Sequence, residues 1–179
     1  MGRAEYHASD HKPTVLQAEV LAEKLFYHTV RIMSNPKYFN PAQDFRDMTC
    51  ISIYETALDV WGKIHTANAI DYREGVEAAN ERLELQTFAL AGIERFFLLQ
   101  RAARSLFAKL RGKPSKFWFW ANMAVELKDA ARAWHAADRK RFAEYYASRQ
   151  KEDLDGGDPA RSGRRLNSSL GGQLSLAFG

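Results

Sequence analysis

The stretch VEAANERLELQTFALAGIERFFLLQRAARSLFAKLR, residues 76–111, decides the fold class. It has a heptad-like pattern with intervals of three and four residues, which places side chains on one face of an α-helix. The positions on this face are Val76, Ala79, Leu83, Gln86, Leu90, Ile93 and Phe97. Asp71 and Glu74 provide an acidic helix start, and Gly112 followed by Pro114 provides a stop. The pattern predicts one long helix over residues 72–111.

Three other segments have the same periodicity. Helix one is predicted over 14–33, where Thr14 and Gln17 form a capping box before an inner face of Ala18, Ala22, Leu25, Thr29 and Ile32. Helix two is predicted over 41–69, after the start signal Asn40-Pro41, with an inner face of Ile51, Tyr54, Leu58, Trp61 and His65. Helix four is predicted over 115–148, with an inner face of Trp120, Met123, Leu127, Ala130, Trp134 and Ala137.

Four helices joined by short loops predict an all-α fold, an antiparallel up-down-up-down four-helix bundle over residues 14–148. Residues 1–13 are expected to be a flexible N-terminus. Residues 149–179 contain six of the eleven glycines and few apolar residues, which indicates a flexible tail. The 179 residues therefore predict one domain with two tails.

Composition excludes several classes of protein. The chain is 46% hydrophobic and 27% charged, the balance of a soluble globular protein. A single cysteine, Cys50, excludes an internal disulfide framework and a multi-cysteine zinc site. The first residues lack the apolar region of a signal peptide, and no run reaches the roughly 18 apolar residues of a membrane helix. We expect a soluble cytoplasmic protein that does not enter a membrane.

Catalytic motifs are missing from the sequence. A di-iron site in a bundle needs Glu-x-x-His pairs, and none occurs. A phosphate-binding Gly-x-x-x-x-Gly-Lys-Ser/Thr loop is also missing. Cys50 lies in an apolar part of helix two and is interpreted as a small core residue rather than a nucleophile. The sequence therefore predicts a non-enzymatic protein without metal or cofactor.

Charge is distributed unevenly along the chain. Residues 1–94 contain 9 basic and 14 acidic side chains, whereas residues 95–179 contain 17 basic and 8 acidic ones. Residues 95–116 carry seven positive charges and no acid. This asymmetry indicates a basic face for a polyanion such as a nucleic acid, and the alternative is a solvated face without a partner.

The candidate nucleic-acid contacts come from helices three and four. On helix four, Lys128, Arg132, His135 and Arg139 share one helical face, which is predicted to be exposed and to follow two or three phosphates. The other candidates belong to the end of helix three and to the following segment: Arg95, Arg101, Arg104, Lys109, Arg111, Lys113 and Lys116.

Apolar side chains beyond the needs of one bundle form a second candidate surface. Leu90 and Phe97 are expected on a second apolar face of helix three. Four consecutive aromatic residues at 117–120 cover about 300° of a helix, so some must point away from the core. Such aromatics suit base stacking or a protein interface, and packing under loops of the same chain is the third possibility. The predicted oligomer or partner interface is Leu90, Phe97, Phe117, Trp118 and Phe119.

The succession of segments resembles a known family. A short helix is followed by the linker Asn-Pro-Lys-Tyr-Phe at 35–39 and by FRDMTCISIYETALDVWGKIHTAN at 45–68. LELQTFALAGIERFFLLQRAARSL at 83–106 and a tryptophan-containing last helix come next. Over residues 14–148 this pattern is similar to Avd, the accessory variability determinant of diversity-generating retroelements. It is also similar to the related four-helix proteins encoded in ribosomal RNA intervening sequences.

The resemblance implies a function. Avd proteins are non-catalytic basic bundles that form homopentamers and bind the retroelement reverse transcriptase together with template-repeat RNA, and they support mutagenic retrohoming through mutagenised cDNA. By this resemblance the partners would be a reverse transcriptase, template-repeat RNA and possible DNA or RNA/DNA hybrid, and further copies of the chain. The alternative function is a four-helix scaffold or adaptor that binds only proteins.

Overall fold

The structure is a computed structural model that describes the backbone of residues 16–36, 43–106 and 114–155, and side chains within 16–36, 48–105 and 115–151. The four helices are α1 (Gln17–Met33), α2 (Gln43–Ala69), α3 (Val76–Leu106) and α4 (Pro114–Asp155), with a short 3-10 turn at Tyr72–Glu74. The prediction of an all-α four-helix bundle is confirmed. None of the described helices is long and apolar enough to cross a membrane.

The helices form a closed bundle in chain order. α1 packs on α2, α2 on α3, α3 on α4, and α4 returns to α1. Arg82 of α3 contacts Asp138 of α4, and Gln100 further along α3 contacts Trp120 near the start of α4. This pairing runs in opposite directions along the two helices, so they are antiparallel.

The core is formed where the four inner faces meet. The predicted face of α1 is confirmed, because Ala18, Ala22, Leu25, Thr29 and Ile32 are all buried. The indole Nε1 of Trp120 donates a hydrogen bond to Thr29 Oγ1 over 2.9 Å, and that hydroxyl donates to Leu25 O over 2.7 Å. The only cysteine, Cys50, is half-buried and packs against this core.

The predicted inner face of α2 is wrong. Ile51, Tyr54 and Leu58 are 54%, 39% and 41% exposed, and His65 is exposed as well. The buried residues of α2 are instead Ile53, Ala57, Val60, Ile64 and Ala67. Gly92 of α3 allows α2 and α3 to approach closely, because a Cβ built on it would lie 2.6 Å from Val60 Cγ2.

α3 starts later and α4 ends later than predicted. Asp71 caps a 3-10 turn rather than the helix, since its carboxylate accepts from Arg73 N, and Gly75 follows with a φ of 153°. α4 continues to Asp155, so the predicted helix end at 148 is wrong and the first residues of the predicted tail are helical. Phe142 stacks on Tyr72 with ring centroids 4.6 Å apart, which holds the second half of α4 on the bundle.

One further correction concerns α4, whereas the predictions for the segment ends stay predictions. Ala137 is exposed, and Ala124, Ala131, Asp138 and Phe142 complete the buried face of α4. The predicted capping box at Thr14 and the stop at Gly112 lie outside the described residues, as do the predicted flexible N-terminus 1–13 and the tail from residue 156 onwards.

Candidate nucleic-acid interface

Positive charge is concentrated at one end of the bundle. The described side chains of 24–36 in α1, 95–105 in α3 and 115–125 in α4 include six cations and no carboxylate. The antiparallel order brings these three segments to the same end. We call this set the basic end, and its cations are Lys24, Arg31, Arg95, Arg101, Arg104 and Lys116.

A groove of about 650 Å³ lies between α3 and α4 at the basic end, and we call it the α3/α4 groove. Arg101 and Arg104 line it together with Trp118, whose side chain is 54% exposed. The Arg104 guanidinium carbon lies 4.8 Å from the ring centroid of Phe117 and 5.5 Å from that of Trp118. Cation–π contact with Arg104 therefore holds Trp118 beside a positive charge.

Gln100 also lines the α3/α4 groove and is 1% exposed. Its amide Nε2 donates to the backbone oxygen of Trp120 over 3.2 Å, and its buried Oε1 has no hydrogen-bond partner. A buried acceptor without a partner costs free energy, so this oxygen favours a ligand that brings a donor.

A second groove, of about 730 Å³, lies between α1 and α4 at the same end, and we call it the α1/α4 groove. Tyr27 and Phe119 line it and are 58% and 57% exposed. His28 makes an edge contact with Phe119, with ring centroids 5.0 Å apart. Burial lowers the pKa of the His28 imidazole, and the positive charges of Arg31 and Lys116 lower it further. The imidazole of His28 is therefore neutral here at neutral pH. The positive charge of the groove comes from Lys24, Arg31 and Lys116, and Glu23 is the carboxylate among its lining residues.

The predicted exposed line of cations along α4 is not formed. Lys128 makes an ion pair with Glu94 and is only 22% exposed, while Arg132 is 60% exposed with its Nη2 3.8 Å from Glu94 Oε1. His135 is half-buried, with Nδ1 3.0 Å from Gln86 Oε1. Burial lowers the pKa of His135, and Arg139 adds to this effect while Asp138 opposes it.

The reason for this difference is a buried cluster between α3 and α4. Asp138 of α4 is fully buried. Its Oδ2 accepts from Arg82 Nε and from Gln86 Nε2, each over 2.8 Å, and its Oδ1 accepts from Arg141 Nη1 over 2.8 Å. Because Gln86 Nε2 donates to Asp138, Gln86 turns its Oε1 toward His135, and this oxygen accepts a hydrogen bond from Nδ1–H of His135. This cluster holds His135 in a half-buried position against α3, so His135 is not part of an exposed line of cations.

The structure separates the other predicted site residues into three groups. Arg95, Arg101 and Lys116 are exposed, as are Trp118 and Phe119. Phe117 is 5% exposed, and Leu90 and Phe97 are half-buried and pack against the core. The prediction of a free apolar surface is therefore wrong for Phe117, while Leu90 and Phe97 are only partly covered and Phe97 lines the α3/α4 groove. Lys109, Arg111 and Lys113 lie outside the described residues.

Sequence reasoning missed several residues of the basic end. Lys24, Tyr27 and Arg31 belong to the half of the chain with net negative charge, and only the return of α4 to α1 brings them beside Lys116. Their spacing of three and four residues on α1 was a usable signal. Gln100 had no signal, because an unpaired buried oxygen can be seen only in three dimensions.

Metal ligands do not cluster within the described part of the chain, where no group of three or more His, Cys, Asp or Glu side chains converges. No family model, curated protein or solved structure matches the chain. We therefore infer function from the geometry and charge of the basic end.

Proposed function

We propose that this chain is a non-enzymatic nucleic-acid-binding accessory protein. Its resemblance to Avd supports a more specific role: an accessory subunit that binds the reverse transcriptase and template-repeat RNA of a diversity-generating retroelement and supports mutagenic cDNA synthesis. The observation that carries the proposal is the basic end, where five cations line two grooves with exposed aromatic rings and Glu23 is the one carboxylate among the lining residues.

Cations and aromatic rings in one place suit a single-stranded nucleic acid. Such strands bind in positive grooves that follow the backbone, with aromatic side chains on which bases stack. Arg101 and Arg104 are three residues apart on α3, about 4.5 Å along the helix axis, and both line the α3/α4 groove, where they can contact neighbouring phosphates of one strand. Trp118 and Phe119 project from adjacent positions of α4 into different grooves. A strand that crosses the start of α4 would meet both.

Phosphate contacts position a strand without reading its sequence. The choice of one template RNA would therefore come from another subunit, and the resemblance names a reverse transcriptase for that role. The bundle would supply a charged surface that holds the RNA, or DNA or an RNA/DNA hybrid, near the polymerase.

The first test measures the salt dependence of RNA binding. Fluorescence anisotropy with a labelled single-stranded RNA gives the slope of log affinity against log salt, about −0.7 per phosphate contact. The triple variant Arg101→Gln/Arg104→Gln/Lys116→Gln should flatten the slope by about 2. The matched control is Arg132→Gln/Lys140→Gln/Lys151→Gln, which removes three exposed cations of α4 outside the basic end.

The control should leave the slope nearly unchanged. Equal flattening by both triple variants would show that the contacts are spread along α4 and not concentrated at the basic end. No binding at any salt concentration would refute nucleic-acid binding. Co-elution of the protein with a reverse transcriptase and its RNA tests the retroelement role separately.

One observation favours the alternative, a scaffold that binds only proteins. Ile51, Tyr54 and Leu58 form an exposed apolar line on α2, at intervals of three and four residues, which we call the α2 outer stripe. Exposed apolar side chains in one line are typical of a protein interface. If the chain is such a scaffold, we expect it to bind itself or a partner protein through the α2 outer stripe independently of salt, and not to bind RNA.

A further inference from the structure

We propose that the α3/α4 groove is a subsite for one unpaired nucleotide whose base carries an exocyclic amino group. The inference depends on the proposed nucleic-acid binding and deepens it, because it names what one groove of the basic end recognises. It is carried by three observations within one groove: an unpaired buried acceptor, an exposed indole and two guanidinium groups.

The acceptor is Oε1 of Gln100. Since Gln100 is 1% exposed and its Nε2 is already bonded to Trp120 O, the side chain offers only an acceptor to the groove. Adenine, cytosine and guanine carry an amino group that projects from the ring and can donate to such an oxygen. The ring N–H of uracil lies between two carbonyl oxygens, which would face Oε1 with the same sign of partial charge.

The indole of Trp118 provides the stacking surface. It is 54% exposed and is held in place by Arg104, which lies 5.5 Å from its ring centroid. A base that stacks on the indole inside the groove would bring its edge toward Gln100, on the facing helix. The volume of about 650 Å³ lies within the range of small-molecule clefts, roughly 300–1,000 Å³.

Arg101 and Arg104 complete the subsite. Both line the groove, which has no carboxylate among its lining residues. Guanidinium groups bind phosphate by paired hydrogen bonds, so they suit the phosphates on either side of the stacked nucleotide. An apolar side chain of a protein partner would leave Gln100 Oε1 unpaired and both guanidinium groups without an anion. These two features favour a nucleotide as the occupant.

The test compares ligands that differ only in the amino group. Single-stranded oligonucleotides of about eight residues would contain either cytidine or its analogue without the 4-amino group, and adenosine or purine riboside in a second pair. We expect the amino-bearing strand to bind about five-fold more tightly, the effect of one neutral hydrogen bond to a buried group. The variant Gln100→Met should abolish this difference, because methionine fills the space without an acceptor.

Two further variants separate stacking from structure. Trp118→Ala should weaken binding of every strand by about ten-fold, whereas Leu98→Ala, which removes a 65% exposed side chain that does not line the groove, should not. Thermal melting checks the fold of Gln100→Met, which removes a buried unpaired oxygen but also the bond from Nε2 to Trp120 O. These two effects oppose each other, so the melting temperature should stay close to that of the wild type. Loss of discrimination in that variant is then not a result of unfolding.

The outcomes distinguish this inference from the proposed function. Salt-dependent binding without any preference for the amino group would overturn the subsite and leave nucleic-acid binding intact. No binding of any strand would refute both. A change of oligomeric state in Trp118→Ala, with unchanged strand binding, would assign the groove to a protein contact and overturn the inference.

Discussion

Replacement of Asp138 by alanine should be among the most damaging single substitutions in the bundle. The side chain of Asp138 is fully buried and that of its partner Arg82 is 10% exposed. Asp138→Ala would leave a buried guanidinium without its counter-ion, an effect of about 3–5 kcal/mol. It would also remove the acceptor of Gln86 Nε2. Because Arg82 Nη1 donates to Ile70 O over 2.8 Å, movement of Arg82 would release the end of α2 as well.

Urea unfolding followed by far-UV circular dichroism measures this effect. We expect Asp138→Ala to lower the free energy of unfolding by about 4 kcal/mol. The matched control is Asp129→Ala, an exposed aspartate on the same helix, which should change it by less than about 0.5 kcal/mol. A double variant, Arg82→Met/Asp138→Leu, should recover most of the loss because it removes both charges together.

A loss below about 1 kcal/mol in Asp138→Ala would show that water reaches Arg82 and that the cluster is not a closed ion pair. Failure of the double variant to recover stability would refute the attribution to an unpaired buried charge, and would place the loss in the shape of the packing instead.

Three other predictions concern different parts of the bundle. The pKa of His135 lies below the usual 6.5 in the folded chain. The unfolded chain therefore takes up a proton below about pH 6.5 before the folded chain does, and the free energy of unfolding should fall there. In urea titrations, His135→Gln should lose less stability than the wild type between about pH 7 and pH 5.5. Gly92→Ala should destabilise the folded protein by about 1–3 kcal/mol, because the new Cβ would meet Val60 at 2.6 Å. Gly62→Ala, at a position with open space around it, should instead stabilise the protein by about 0.5–1 kcal/mol. Equal effects of the two substitutions in thermal melts would contradict the close approach of α2 and α3. If the α2 outer stripe joins copies of the chain, Leu58→Glu should reduce the mass measured by light scattering. An unchanged circular dichroism spectrum serves as the control for folding. An unchanged mass would exclude the stripe as the self-association surface.

The helices could be predicted from the sequence because intervals of three and four residues and strong start and stop signals are local. The face of α1 was also predictable, because its buried residues Ala18, Ala22, Leu25, Thr29 and Ile32 recur at intervals of three and four. The end of α4 was not. Tyr146 Oη donates to Tyr72 O over 2.6 Å, a contact between residues far apart in sequence that holds the second half of this helix on the bundle.

The candidate site was predictable in charge but not in position. The excess of cations after residue 95 indicated a basic face, and Arg101 and Trp118 are exposed within it. Helical spacing placed Lys128 and His135 on the same face. It could not show that Lys128 forms an ion pair with Glu94 of α3, or that His135 forms a hydrogen bond with Gln86 of α3. A pattern within one helix gives the direction of a side chain, and the neighbouring helix decides whether that side chain is free.

The error on α2 has a physical cause that also bears on function. Intervals of three and four residues indicated Ile51, Tyr54 and Leu58 as the inner face, and the same intervals fit Ile53, Ala57, Val60 and Ile64, which are buried instead. The choice between two such faces depends on α3, whose Gly92 has no space for a Cβ beside Val60. Ile51, Tyr54 and Leu58 then lie on the opposite side of α2 and form the α2 outer stripe. The proposed protein contacts on this stripe and the proposed nucleic-acid contacts at the basic end use different side chains, so neither excludes the other through a shared residue.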